Sequence, residues 1–537
     1  MIRVFLGHAQ WEIPAAGAGR VSPLDWGLAA VMLAGLIGVA VWLGRLNRSV
    51  ADFILAGRKV RKFLGMSAGA AENLGLAGIA ASMQQGMQHG FALIWISVIL
   101  MAYTIPVFGV IGFGIQRFRA TRCMTIPQFL EQRFDKRLRL LVGAILAISG
   151  ILNMAIFPLV GSQFLVAFSG LPETLSVGGL ALPTVSTFMI SLVLLAILFT
   201  FLGGMVTVVV TDYIQATIMI GALVLAGALT LTQVGPAAIH DTLTTHLGDA
   251  AFNPFSVGSY GLTWIAWVLL LTTCNKLAFA PAVQKVASAE SPETARKMEL
   301  FQNIFGMGMR TFMLLMGIGA LAVLGPTPPD GQTADTYFRF AGAIYLRETL
   351  PVLVMGMVFA AMLFAAISTD DSYLLAWSAV IVNDIVQPLR RTPFSPRAHI
   401  LLMRLVILLM GLFIIAFGLT YDPKESILNY MYLTGTLLGG IGISVFAGLY
   451  WPRATTAGAL AAIITCAAIP LADLFGRQWI GDRFPLTTQQ SGLLALVLSL
   501  IVIIAVSLLT GRGPAAGWVD YGAVLRRLKA GHAEEAS

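Results

Sequence analysis

The sequence predicts an all-α integral membrane protein with about thirteen transmembrane helices. Three observations carry the prediction: 57% of the 537 residues are hydrophobic, only 11% are charged, and the mean hydropathy is +0.83. Soluble domains carry about 25% charged residues. A chain this apolar cannot cover a water-facing surface, so lipid must be its solvent over most of its length. The net charge of +8 could suggest nucleic acid, but its placement along the chain reads as a topology signal.

A crossing helix needs about 20 apolar residues. Such runs lie at 26–45, 64–87, 90–115, 138–168, 184–202, 205–231, 260–285, 298–325, 349–380, 400–420, 427–450, 455–474 and 490–510. The stretch before the first run lacks the short apolar core and small-residue cleavage site of a signal peptide, so the first helix is expected to target the chain and remain in it. The second and seventh runs are interrupted and are treated below. The fourth and ninth exceed one straight crossing and are expected to tilt or kink.

Alternating these runs across a membrane places 26 of the 34 Lys and Arg on one side and 7 on the other, with Arg310 inside a span. The basic side is the cytoplasmic one. The N-terminus is therefore expected outside and the C-terminus inside a cell (inner) membrane. Residues 1–25 form an extracytoplasmic segment, 26–510 the polytopic domain, and 511–537 a short cytoplasmic tail. Cys123, Cys274 and Cys466 are far apart and show no metal or disulfide spacing. His240 and His246 share a loop without a third ligand candidate, and no nucleophile–base pair suggests an enzyme.

Function in a membrane bundle concentrates where helices break or carry charge. The second run holds Gly69, Gly75 and Gly78 around Glu72 and Asn73; the seventh holds Asn275, Lys276 and Pro281. Small residues also serve close helix packing, but charged and amide side chains in the same turn favour local unwinding. Unwound backbone offers carbonyls to a cation and helix ends to an anion. The second and seventh runs enter from opposite sides, as expected of two inverted five-helix repeats, about 64–231 and 260–450.

The ninth run contains Ala365-Ala366-Ile367-Ser368-Thr369-Asp370-Asp371-Ser372. Ala365, Ser368, Thr369 and Ser372 share a helical face, and paired hydroxyls there suit a hard cation. The plain alternative is that they bond their own helix. Carboxylates at this depth are costly unless paired or wet. On the helical wheel Asp371 lies near Ser368 and could join or extend a cation site, whereas Asp370 points toward another helix. For Glu72, Lys276, Arg310, Asp370 and Asp371 together the plain alternative is ion pairing that locks helices, with Arg310 against one of the acids. Lys276 could hold a substrate carboxylate.

Several stretches then resemble the sodium/solute symporters, a family that includes sodium-dependent sugar, proline and pantothenate carriers. They are Ala51-Asp52-Phe53-Ile54-Leu55-Ala56-Gly57-Arg58; Ser67-Ala68-Gly69-Ala70; Thr125-Ile126-Pro127-Gln128-Phe129-Leu130-Glu131-Gln132-Arg133-Phe134; Gly203-Gly204 with Thr211-Asp212 and Gln215; and Ser368-Thr369 followed by Asp384-Ile385. The resemblance implies a LeuT-type fold of inverted five-helix repeats with flanking helices. It also implies a sodium site between the second and ninth spans, formed by carbonyls of Ala70, Asn73 and Ala365 and hydroxyls of Ser368 and Thr369. Asp212 matches an aspartate associated with sodium passage toward the cytoplasm.

Departures bear on the solute. Ala77 stands where sugar carriers place a polar side chain, the third span has no ionised residue, and Asn275-Lys276 lie farther from Gln284-Lys285 than the family pattern has it. A sugar is disfavoured. The expected activity is sodium-coupled import of a small polar or charged organic solute, with Glu72, Asn275, Lys276 and Asp370 as substrate candidates and Asp212 and Asp371 as further cation or ion-path candidates. Sodium and membrane lipid are the expected partners besides the solute, with neither nucleic acid nor an obligate protein partner. The alternatives are a proton-coupled carrier of the same fold and a symporter-like receptor.

Overall fold

In hydrocarbon every backbone amide must find a partner within the chain, which restricts an apolar segment of this kind to helix. The computed structural model describes residues 21–46, 49–177, 179–256, 261–329, 331–420, 434–480, 485–511 and 517–536. The side chains of Glu72 and Asn73, both substrate or ion-site candidates, lie outside the described residues, as does the start of the eleventh expected span. The main helices are α1 (Pro23–Leu43), α2 (Lys62–Asn73), α3 (Leu76–His89), α4 (Ala92–Thr104), α5 (Lys136–Ala155), α6 (Phe157–Ser169), α7 (Thr184–Val234), α8 (Gly261–Asn275), α9 (Ala280–Ser288), α10 (Pro292–Leu324), α11 (Val354–Val380), α12 (Pro396–Thr420), α13 (Gly439–Tyr450), α14 (Thr456–Ile480) and α15 (Thr488–Thr510). Among the described residues the only sheet is a small antiparallel hairpin, Thr174–Val177 with Leu180–Pro183, in the loop between α6 and α7.

Among the described residues nine helices are long and apolar enough to cross a membrane, or ten if the bent pair α8–α9 is one span. The difference from the thirteen expected has physical causes. The second expected span is two short helices, Lys62–Asn73 and Leu76–His89, neither able to cross alone. The fifth and sixth run on as the 51 residues of α7. A straight helix of that length would extend about 77 Å at 1.5 Å per residue, more than twice the ~30 Å hydrocarbon core. The discontinuity is at Gly204, with φ 50° and ψ −150°. A side chain is excluded there on two counts: the positive φ disfavours L-residues, and a Cβ would stand 2.5 Å from the Phe53 carbonyl oxygen.

The long fourth expected span divides at Ile156 into α5 and α6, with Pro158 in the first turn of α6. Proline there cannot continue the ladder of the preceding helix. The ninth is α11, which passes into a π-helical turn at Ile381–Val386. The second and seventh spans are both broken as expected: α2 gives way to α3 at Leu74 and Gly75, and α8 meets α9 at a bend of 46°.

α1 and α11 are joined by a shared cap. Asp25 is fully buried, accepts from the backbone and hydroxyl of Ser22, and through its other oxygen accepts from the amides of Leu353 at 2.7 Å and Gly356 at 2.9 Å. These are first-turn donors of α11 that have no partner in their own helix. Replacing Asp25 with alanine is expected to cost about 1–3 kcal/mol, the penalty for an orphaned buried donor. A lowered thermal midpoint of the purified protein, with Asp25→Asn intermediate, is the measurement.

Candidate cation and solute sites

Helix α11 presents two chemically different faces. At about 100° per residue, Ser368, Asp371 and Ser372 fall on one side and Ala366, Asp370 and Tyr373 on the other, with Thr369 between them. Each face meets parts of both broken spans.

On the first face the Ser368 hydroxyl donates to Asp212 Oδ1 at 2.5 Å. Lys285 Nζ donates to Asp212 Oδ2 at 3.3 Å and to the Ala68 carbonyl at 2.8 Å. The cluster thereby draws together α2, α7, α9 and α11. Ser368 and Asp212 are fully buried and Lys285 is 5% exposed. Both carboxylate oxygens of Asp371 are buried without a hydrogen-bond partner, within electrostatic reach of Asp212 and Lys285. When all three are ionised, these side chains sum to one negative charge, which a buried site must neutralise.

Thr369 donates to the Ala365 carbonyl one turn earlier at 3.0 Å. It also abuts the break in the second span, since a Cβ on Gly75 would stand 2.4 Å from its Oγ1. Ala70 and Ala365 are buried beside these groups on α2 and α11. The structure thus brings Asp212 to Ser368 directly. It also moves Lys285, grouped in the sequence with the cytoplasmic basic residues, into the interior of the bundle.

The second face of α11 borders a cavity of about 430 Å³, walled also by α3, α8 and α10. Asn275 and Lys276 reach it as expected from the break in the seventh span. The Asn275 Oδ1 is buried and unbonded. Lys276, expected as a holder of a substrate carboxylate, already donates to Glu299 Oε2 at 2.7 Å, and Asn303 donates to the same carboxylate at 3.3 Å. Asp370, expected to meet another helix, lies on the cavity wall. Arg310, for which pairing with an acid was the plain alternative, also lies on that wall and makes no ion pair with a described carboxylate.

Two of the quoted sequence motifs meet at one end of α11. Thr125 Oγ1 donates to Asp384 Oδ1 at 2.9 Å, and Arg139 Nε donates to the same oxygen at 3.0 Å. Arg139 also bonds the Asn383 carbonyl at 2.8 Å and pairs with Glu131. This fastens the Thr125–Phe134 stretch to the π-helical turn that ends α11.

Two broken helices around a buried ion-pair cluster and a polar cavity, inside an α-helical membrane bundle, define a secondary transporter. The chain belongs to the sodium:solute symporter family, whose model matches residues 53–466. It is 26% identical over 494 residues to an osmoregulated proline transporter of Bacillus subtilis, covering 89% of this chain and 94% of that one. A sodium/glucose cotransporter of Vibrio parahaemolyticus is 25% identical over 496 residues, covering 84% and 85%. Among solved structures, a Na⁺-coupled sialic acid symporter in a substrate-bound outward-open state matches with a TM-score of 0.77 at 19% identity, covering 92% of this chain and 99% of that one. MhsT, solved in complex with L-phenylalanine, matches with a TM-score of 0.51 at 14% identity, covering 84% of this chain and 98% of that one. The fold is shared with LeuT-type transporters, and the family read from the motifs is confirmed. This is a multi-pass membrane transporter and not an enzyme, and its family implies sodium and a solute as cargo.

Proposed function

We propose that the protein imports a small polar or charged organic solute by alternating access, driven by sodium bound between the second and ninth spans. The observation that carries this reading is the Ser368–Asp212 contact beside the broken second span. A hydroxyl that donates its one proton to a carboxylate keeps its lone pairs for a cation, and Thr369, donating to Ala365, is in the same condition. With the carbonyls of Ala70, Asn73 and Ala365 the donor set is all oxygen, which suits a hard ion. The ion contributes driving force only through its different affinity for the outward and inward states.

In this reading Asp212 and Asp371 extend the cation site or line the ion's exit path, and Asn275, Asp370, Glu72 and Lys276 belong to the solute side. The chain crosses thirteen times. The break at Gly204 makes two spans of α7, and the second, seventh and eleventh spans count as one each. Helices 64–231 and 260–450 form inverted repeats, residues 1–25 lie outside, and 511–537 lie in the cytoplasm.

A specific observation favours a second reading, coupling to protons. Lys285 places an ammonium on the Ala68 carbonyl and Asp212, where an internal cation could stand in for sodium while Asp371 takes up a proton. Uptake into proteoliposomes with sodium and pH gradients imposed separately decides between them. A sodium gradient alone is expected to drive accumulation, and Asp371→Asn to change its sodium dependence. Accumulation under a pH gradient alone would overturn the sodium reading, and an unaltered sodium dependence would remove Asp371 from the ion site.

A further inference from the structure

The cavity beside α11 holds two charged side chains that the ion-site cluster does not use. Asp370 is 2% exposed, and both its carboxylate oxygens are buried with no hydrogen-bond partner. Arg310 faces the same cavity from α10, and its buried Nε is likewise unbonded. The two make no ion pair with each other within 4.0 Å, nor with any other described group. The remaining cation on the wall, Lys276, is matched by Glu299. Among the described residues, then, the cavity has one unmatched negative and one unmatched positive charge, on different helices.

The surroundings of Asp370 add a second feature. Tyr373 follows it by one turn of α11, and its ring lies 5.6 Å from that of Phe157 and 5.4 Å from that of Phe279, all three on the cavity wall. Aromatic faces attract a cationic nitrogen, and an adjacent carboxylate supplies the countercharge. The same cavity also offers the Arg310 guanidinium from α10, whose planar donors match a carboxylate. At about 430 Å³ the space is at the small end of ligand pockets, which run about 300–1,000 Å³.

We infer that the transported solute is a small zwitterion of the amino-acid or betaine class. Its cationic nitrogen sits against Asp370 between Tyr373, Phe157 and Phe279, and its acidic group sits against Arg310. This rests on the reading of the cavity as the solute site. A neutral solute such as a sugar matches neither charge, and a simple anion or cation leaves the other charged group uncompensated, which is costly when the cavity closes. Only a molecule carrying both charges completes the site.

The test is ligand-induced thermal stabilisation of the purified protein in sodium, followed by radiolabel binding. The probes are a panel of L-amino acids, glycine betaine, D-glucose, lactate, and, for the best zwitterion, its decarboxylated and deaminated analogues. A zwitterion is expected to stabilise the protein at concentrations at least tenfold below those of glucose or lactate. Arg310→Gln is expected to weaken the zwitterion at least tenfold while leaving its decarboxylated analogue unchanged, with Arg310→Lys intermediate. Asp370→Asn is expected to do the converse with the deaminated analogue. Preference for glucose or lactate over every zwitterion overturns the inference, as does an Arg310→Gln variant that weakens zwitterion and decarboxylated analogue equally. Failure of the symporter reading looks different: sodium then has no effect on the binding of any probe.

Discussion

Replacing Ser368 with alanine is expected to raise the sodium concentration for half-maximal uptake by about ten- to a hundredfold. The hydroxyl donates to Asp212 at 2.5 Å and is fully buried, so its removal takes away the donor that fixes the carboxylate and, in the proposed sodium site, an ion ligand. Hydrogen bonds to charged groups contribute about 1.5–3 kcal/mol, and each 1.4 kcal/mol is a factor of ten in affinity. Ser368→Thr keeps the hydroxyl and should fall between parent and alanine variant. The readout is a sodium titration of uptake in proteoliposomes at fixed solute. An unchanged half-saturation in the alanine variant would take Ser368 out of the ion's coordination shell.

A larger effect is expected at Lys285. Its ammonium faces Asp212 at 3.3 Å and lies near Asp371, with both carboxylates fully buried. Lys285→Met removes the positive charge and leaves the carboxylates facing each other. Breaking a buried pair from one side costs about 3–5 kcal/mol, enough to lower the thermal midpoint in detergent markedly. Two signatures separate this from loss of packing. Sodium is expected to stabilise Lys285→Met more than the parent, because an external cation takes over the charge. The double variant with Asp212→Asn should recover much of the loss, since the repulsion is gone. A Lys285→Met protein that is as stable as the parent without sodium would show that the cluster is not held by charge.

The architecture was legible because its signals are local. Hydropathy marks the spans, and the two broken ones announce themselves by glycine, proline and amides inside apolar runs. The solvent that forces helix everywhere also makes those exceptions conspicuous. What could not be read was partner choice. Lys285 is the last residue of the seventh expected run, where counting by side groups it with the cytoplasmic basic residues; in the bundle it turns inward onto Ala68 and Asp212. The helical wheel separated Asp370 from Ser368 correctly, but angle alone does not say whether the opposite side meets a helix or a cavity. Arg310 could be read as half of an ion pair for the same reason, and it lines the cavity without an ion pair to any described carboxylate. A signal was present in each case, an ionised residue in an apolar run, but its counterpart lies in another helix. Glycine behaved likewise: Gly75 marked a break, while its close approach to Thr369 is a property of the packed bundle.

The shared cap at Asp25 has a mechanical consequence. Because one carboxylate closes the start of α1 and holds the first amides of α11, the peripheral first helix and the helix that bears Ser368 and Thr369 are coupled at that end as if riveted. Any rotation of α11 during the transport cycle must either carry α1 along or shear two buried hydrogen bonds. The first span is thus part of the moving load and not a passive anchor, and the rate at which the transporter turns over should respond to changes made far from either site, at the lipid-facing surface of α1.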